Sequence, residues 1–189
     1  MGQYYNIIIK RKDQKSTHAY DRTLDGEYTS AKLTEHSWYL NPMVNAVAEK
    51  LYHNPSHIAW VGDYARGEEG DREDLYKLSH PASRKFEMLH KTEFTLKDRY
   101  LVNHTKKLIL DCWDYLKESI KKNEDSSVMH PLPLLTALGN GRGGGDYQGI
   151  NQEQIGSWAW DILEIVEWED LQPLKEDNYT FFSTRFEDR

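Results

Sequence analysis

Cysteine is nearly absent from this chain: Cys112 is the single one among 189 residues. An intrachain disulfide is therefore excluded, and so is a zinc site built from several cysteines. The residues around the thiol, 108–110 and Trp113, are apolar, which favours a buried side chain over a reactive nucleophile. This use of cysteine is typical of a reducing compartment, and we predict a cytoplasmic protein.

Long hydrophobic runs are also missing. No stretch approaches the roughly 18–20 apolar residues that span a bilayer. The first residues, MGQYYNIIIKRK, place the apolar run before the basic residues and have no small-residue cleavage site, unlike a signal peptide. Gly2 is followed by Asn6 where a myristoylation motif has Ser or Thr. The sequence therefore predicts no membrane association.

Basic residues are also fewer than acidic ones. The chain has 24 Lys and Arg against 31 Asp and Glu, a net charge of −7. Nine acidic and three basic residues lie between Asp161 and Arg189, so this segment carries −6 and the first 160 residues only −1. This distribution argues against a broad basic face and so against a nucleic-acid partner. The acidic segment is interpreted either as a solvated face or as a surface for a protein partner.

Hydrophobic periodicity predicts an α+β fold in a single domain of residues 1–189. The stretch YYNIIIKR predicts a first strand, SHIAWVGDY a buried strand, and RYLVNHTKKLILDCW two strands around a turn. Asn41 and Pro42 begin the clearest helix, whose apolar stripe continues to Leu51. We expect a mixed or antiparallel sheet of about six strands with three or four helices.

Three segments are less regular. Residues 67–80, GEEGDREDLYKLSH, predict a short polar helix. In HPLPLLTALGNG, residues 130–141, two prolines favour extended backbone. Residues 156–168 fit either a helix or a long strand with Trp158, Trp160 and Ile162 on one face, and their richness in Trp, Ile and Val favours the strand.

The least ordinary stretch is GNGRGGGDYQG, residues 139–149, in which six of eleven residues are glycine. It matches G-x-G-x-x-G literally, but the residues that follow, from Gly145 to Gly149, do not open the helix that a dinucleotide-binding turn needs. A Walker A loop is excluded because Gly-Lys-Ser/Thr is absent.

Two interpretations of this glycine loop stay open. Consecutive glycine amides form anion-binding nests, and Arg142 could add a bidentate contact to a phosphate. The residues that would hold such a ligand are Asn140, Gly141, Arg142, Gly143, Gly144 and Tyr147. Alternatively, the segment is a loop without a ligand: either a mobile one, or a close-packed corner in which Tyr147 packs on the core.

Four side chains are candidates for acid–base chemistry: Glu35, His36, Asp63 and Asp146. A histidine titrates near neutrality, and Asp63 follows an apolar strand, where ligand-binding carboxylates are common. The alternatives are a histidine packed under Trp38 and an ordinary turn aspartate. A divalent metal ion on Glu35, Asp63 and Asp146 stays open, whereas no HExxH motif occurs and Asn54-Pro55 interrupts the only HxxxH spacing.

Six blocks spread over most of the chain are MGQYY, KLTEHSW, IAWVGDYA, YLVNHTKK, HPLPLLTALGNGRGGGDY and IGSWAWD. Together they resemble a group of small bacterial and phage proteins, a resemblance that implies no activity, ligand or fold. It implies only that the chain be treated as one unit. A phage association would favour an interaction protein, such as an inhibitor of a host system, by analogy alone.

Two functional hypotheses follow. In the first, the protein binds or hydrolyses a phosphate-bearing small molecule such as a nucleotide, with the loop amides and Arg142 holding the anion. In the second, it is a non-catalytic interaction module whose acidic C-terminal part and surface aromatic residues meet a protein partner. The first requires Glu35, His36, Asp63 and the glycine loop to converge on one concave pocket.

Overall fold

The structure is a computed structural model that describes residues 1–12, 18–28, 31–65, 86–122 and 128–186. Ten strands lie within these ranges: β1 (Tyr5–Arg11), β2 (His18–Leu24), β3 (Glu27–Tyr28), β4 (Ser56–Gly62), β5 (Phe86–Leu89), β6 (Arg99–Asn103), β7 (Leu108–Asp111), β8 (Ala137–Leu138), β9 (Ile162–Glu167) and β10 (Thr180–Phe181). They form one open mixed sheet in the order β10-β7-β6-β9-β4-β1-β2-β3, with β5 beside β2 and β8 beside β4.

Five α-helices lie in the same ranges: α1 (Leu33–His36), α2 (Pro42–Leu51), α3 (Cys112–Lys122), α4 (Pro131–Thr136) and α5 (Leu171–Glu176). The α+β class is thus confirmed, but the expected numbers of strands and helices were too low. The sheet is extended by several two-residue strands that carry no hydrophobic period of their own. The helix predicted at residues 67–80 lies outside the described residues.

The centre of the sheet is the antiparallel pair of β1 and β4, as the two apolar stretches predict. Alternation along β1 sends Ile7 and Ile9 into the main core and Ile8 into a second cluster on the opposite face. On the main-core side α2 covers the sheet, and its Asn41 side chain accepts hydrogen bonds from the Met43 and Val44 amides at the N-terminus of the helix. The predicted first strand, buried strand and capped helix are confirmed.

Residues 161–186 of the acidic C-terminal segment contribute to the sheet and to the layer that covers it. β9 pairs with β6 in the middle of the sheet, and β10 pairs with β7 at its edge. Between them, α5 places Leu171 on Val102 and Val166, on the face opposite the main core. This layer packs on the hairpin of β6 and β7. The hairpin confirms the prediction of two strands around a turn in RYLVNHTKKLILDCW.

The expectation of extended backbone at residues 130–141 is wrong for its first half, where α4 forms. Pro131 occupies the first helical position, where the missing N–H costs nothing, and Pro133 still falls within the first turn. The His130 ring accepts a hydrogen bond from the Leu132 amide and thereby caps the helix. In the sequence alone, prolines in the first turn of a short buried helix look the same as prolines in an extended segment.

Residues 156–168 resolve into turns followed by a strand that begins only at Ile162. Trp158 packs into the main core and Trp160 against the second cluster, so the two rings do not share a strand face. The backbone of Trp160 is left-handed, with φ of 67°, which interrupts any strand before β9. No helix within the described ranges is long and apolar enough to cross a membrane.

Candidate functional site

The glycine loop surrounds an anion that belongs to the chain itself. Oδ2 of Asp146 accepts hydrogen bonds from the amides of Gly141, Arg142 and Gly143 at 2.8, 2.9 and 2.8 Å. Oδ1 accepts a fourth from the Tyr5 hydroxyl at 3.1 Å, and Asp146 is buried. Burial, reinforced by this carboxylate, raises the pKa of Tyr5, so the phenol stays a donor. The nest that the glycines predict exists, and Asp146 occupies it.

A second set of hydrogen bonds closes the loop. The Asn140 side chain accepts from the Tyr147 amide at 2.8 Å and donates to the Tyr147 carbonyl at 3.0 Å. The Tyr147 ring is buried edge-on against Phe186, and its hydroxyl donates to the carbonyl of Ile150. The left-handed backbone of Gly139, Gly141 and Gly145 explains why glycine recurs here. Of the two interpretations of the loop, its geometry is that of the close-packed corner.

The first residues of the chain pack directly on this corner. Gly144 donates its amide to the Met1 carbonyl at 3.0 Å and accepts from the Gln3 amide at 2.9 Å. A side chain at Gly143 would approach the Gln3 Cβ to 2.4 Å, so the contact requires glycine. The Arg142 side chain is exposed, and its guanidinium donates to the Tyr64 carbonyl at 3.3 Å. The loop, the first residues and the end of β4 therefore form one joined region.

Glu35 and His36 do not act on each other. Glu35 is exposed and its carboxylate lies 2.8 Å from the Lys32 ammonium. His36 is fully buried: Nδ1 lies 2.6 Å from the Lys32 carbonyl, and Nε2 accepts from the Trp60 indole at 2.8 Å. Both ring nitrogens are therefore occupied, with the proton on Nδ1. Burial lowers the pKa of His36 to about 4, so the ring is neutral near pH 7.

Asp63 lies beside the same region, and it forms hydrogen bonds with the backbone of Tyr4. Its carboxylate accepts from the Tyr4 amide at 3.1 Å, while its own amide donates to the Tyr4 carbonyl at 2.9 Å. On the other side, α1 reaches the loop because the amide and hydroxyl of Thr34 donate to the Gly145 carbonyl. Glu35 and His36 both contact Lys32, one at its ammonium and the other at its carbonyl. All four acid–base candidates are therefore already engaged in hydrogen bonds or ion pairs within the chain. No trio of His, Cys, Asp or Glu in the described part of the chain could hold a metal ion.

Sequence reasoning missed a cleft of about 320 Å³ between α3 and residues 181–185. Asp111, the last residue of β7, and Asp114 on α3 line one side of it, and Phe181, Phe182 and Tyr115 supply aromatic rings. Asp111 also caps α3, because its Oδ1 accepts from the amides of residues 113 and 114. The spacing of the two aspartates could have suggested a helix start, but nothing in the sequence places the final segment beside it.

A second missed feature is a chain of three side chains, which we call the relay: Glu164, His104 and Tyr179. The carboxylate of Glu164 lies 2.7 Å from Nε2 of His104, and the Tyr179 hydroxyl lies 2.9 Å from Nδ1. The side chains of His104 and Glu164 are 19% and 14% exposed. The relay was missed because its members are 60 and 75 positions apart in the sequence.

Comparison of the chain with protein-family models, with curated proteins and with solved structures gave no match. The chemistry of the sites is therefore the only basis for a function.

Proposed function

We propose that the protein is an interaction module that binds a basic segment of a partner protein. The proposal rests on the cleft between α3 and residues 181–185, in which carboxylates and aromatic rings line one cavity of about 320 Å³. Carboxylates pair with guanidinium groups, and aromatic faces attract cations. The chemistry of the cleft is therefore complementary to an arginine or lysine side chain.

Charge on the surrounding layer supports a basic occupant. Residues 161–186, which form β9, α5, β10 and the segment beside the cleft, contain seven acidic and two basic residues. The Asp114 side chain is 65% exposed and forms an ion pair with Lys117 on the same helix. Arg185 is the one basic residue among those that line the cleft. A partner that brings positive charge is steered toward this layer and a negative one is repelled.

The exposed aromatic rings beside the cleft are already in contact with a cation. The Lys175 ammonium lies 4.6 Å from the ring centroid of Trp168 and 5.4 Å from that of Phe181. These rings are part of residues that are 60% and 51% exposed, and Phe181 also lines the cleft. Large aromatic residues and arginine dominate the binding energy of protein interfaces, so this surface is suited to a partner.

Binding of a phosphate-bearing molecule at the glycine loop stays a prediction. The amides that would hold the anion donate to Asp146, and His36 uses both ring nitrogens inside the core. Arg142 is the one member of the predicted ligand set with an exposed cationic side chain. The geometry therefore favours the interaction module over the nucleotide hydrolase.

Calorimetric titration with a short peptide tests the proposal. The probe is acetyl-Gly-Arg-Gly-Arg-Gly-amide, and its control replaces each arginine with citrulline, which has nearly the same shape without the charge. We expect the arginine peptide to bind with a Kd on the order of 0.1 mM and the citrulline peptide at least tenfold more weakly. Equal affinities for the two peptides would contradict a cation-binding cleft.

Two variants locate the binding. Asp114→Asn and Phe181→Ala should each weaken the arginine peptide by roughly fivefold, since one exposed charge pair or one cation–π contact contributes about 1 kcal/mol. Glu153→Gln is the matched control, because it removes one exposed carboxylate on the short helical turn Gln152–Gln154, which does not line the cleft. An arginine peptide that binds all three variants equally well does not bind in the cleft.

A further inference from the structure

We propose that Tyr179 is a nucleophile activated by His104, with Glu164 as the residue that positions the histidine. Its substrate is a carbonyl, phosphoryl or sulfonyl centre that carries a leaving group. The proposal rests on two short hydrogen bonds in series through one imidazole ring. A nucleophile, a base in contact with it and a third group that orients the base make up the arrangement found in covalent catalysis.

The direction of the hydrogen bonds follows from the three groups. An ionised carboxylate accepts only, so Nε2 of the neutral His104 ring donates to Glu164. Nδ1 is then the acceptor, and the Tyr179 hydroxyl donates to it. The proton of the phenol therefore already points at the base that would remove it. Imidazolium formed by that transfer would be stabilised by the carboxylate 2.7 Å away.

The fold holds the three side chains on one face of the sheet. His104 directly follows β6, and Glu164 on β9 pairs with Val102, two residues earlier on β6, so alternation aims both side chains the same way. Tyr179 lies between α5 and β10, with its ring packed against the cluster that contains Val102 and Val166. Tyr179 is half-buried, which leaves part of its side chain accessible to a substrate.

The charged groups around the phenol come from the elements packed against it. The Lys107 ammonium lies 5.7 Å from the Tyr179 ring centroid and pairs with Asp177 at 3.0 Å. Burial raises the pKa of Tyr179, and the carboxylates of Asp177 and Glu164 add to that rise while Lys107 opposes it. The phenol therefore keeps its proton near neutral pH, and attack depends on its transfer to His104.

The reaction is a substitution in which atoms balance. The Tyr179 oxygen forms a bond to the electrophilic centre as the bond to the leaving group breaks. The phenolic proton moves to Nδ1 of His104, and the leaving group departs with its electron pair. No oxidant, reductant or metal ion takes part. None of the three relay residues is among those that line the cleft, so this inference is independent of the proposed function.

Labelling of the full chain with benzenesulfonyl fluoride tests the inference. The probe forms an O–S bond with a reactive tyrosine and releases fluoride, and peptide mass spectrometry gives the labelling rate of each tyrosine. We expect Tyr179 to react at least tenfold faster than Tyr64, which is also half-buried and serves as the internal reference. The rate at Tyr179 should also depend on pH differently from the rate at Tyr64, because only Tyr179 donates to a neighbouring base.

Variants separate chemistry from structure. His104→Gln should lower the Tyr179 labelling rate on the order of 10²-fold, the range expected for a general base, and should change the pH dependence of that rate. Glu164→Gln should keep the fold and also change that pH dependence, since the imidazolium loses the carboxylate beside it. Equal rates for Tyr179 and Tyr64 in the wild-type chain would overturn the inference, as would a pH profile that both variants leave unchanged. Because the comparison with Tyr64 needs no variant, it decides the question even if one of them does not fold.

Discussion

Removal of the Asp146 carboxylate should open the glycine loop from within. Asp146→Ala deletes three hydrogen bonds from loop amides and leaves the buried Tyr5 hydroxyl without its acceptor. A hydrogen bond to a charged group contributes about 1.5–3 kcal/mol when both partners are shielded from water. Gly141 and Arg142 are exposed, so water replaces part of what their amides lose. We therefore expect a loss of about 4 kcal/mol in the free energy of unfolding.

Asp146→Asn should cost about half as much, because the amide oxygen still accepts from the loop while the charge is lost. Urea unfolding followed by tryptophan fluorescence measures the free energy of unfolding of both variants. In a thermal melt, the alanine variant of a chain of this size should have a melting temperature about 8–16 °C below that of the wild type. Asp177→Ala is the matched control, since it removes an aspartate from an exposed ion pair with Lys107 and should change stability by less than about 1 kcal/mol.

Small anions provide a second readout of the same loop. Formate or inorganic phosphate should stabilise Asp146→Ala, whose nest is vacant, and leave the wild-type melting temperature unchanged, since Asp146 fills the nest. An Asp146→Ala chain within about 0.5 kcal/mol of the wild type would refute the account of the loop. Stabilisation of the wild type by phosphate or a nucleotide, lost in Arg142→Ala, would instead support the predicted ligand site.

Two further predictions concern the buried histidines and the loop glycines. Because burial lowers the pKa of His36 to about 4 and that of His130 to about 3, the unfolded chain binds more protons than the folded one below about pH 6.5. The free energy of unfolding should therefore fall as the pH drops from 6.5 to 4, by up to about 1.4 kcal/mol per pH unit for each histidine, and His36→Gln should flatten the curve in urea titrations. Gly143→Ala should destabilise the chain by about 2–3 kcal/mol through collision with Gln3, whereas Gly141→Ala, with open space at its Cβ and φ of 91°, should cost about 1 kcal/mol of backbone strain. Equal losses for the two alanine variants, measured by the same urea titrations, would contradict the collision.

Sequence patterns predicted the elements whose signals are local. The apolar run of β1 and the Asn41–Pro42 start of α2 depend on neighbours within a few residues, and both form as expected. The pattern failed at α4, since two prolines in a first helical turn look the same as prolines in extended backbone. Strands of two residues, such as β8 and β10, have no period to detect, and only their pairing partners define them.

The sequence by itself showed that residues 139–149 form a glycine-rich loop whose amides could bind an anion, and that an aspartate, Asp146, lies within the same stretch. Only the tertiary structure decided that this aspartate turns inward to Tyr5 rather than outward to a ligand, because that choice depends on a hydroxyl 141 positions away. The relay of Glu164, His104 and Tyr179 also depends on strand pairing, which brings together side chains that no local spacing connects. Chemistry assembled from distant segments has no signature along a single chain, since hydrogen bonds form between neighbours in space.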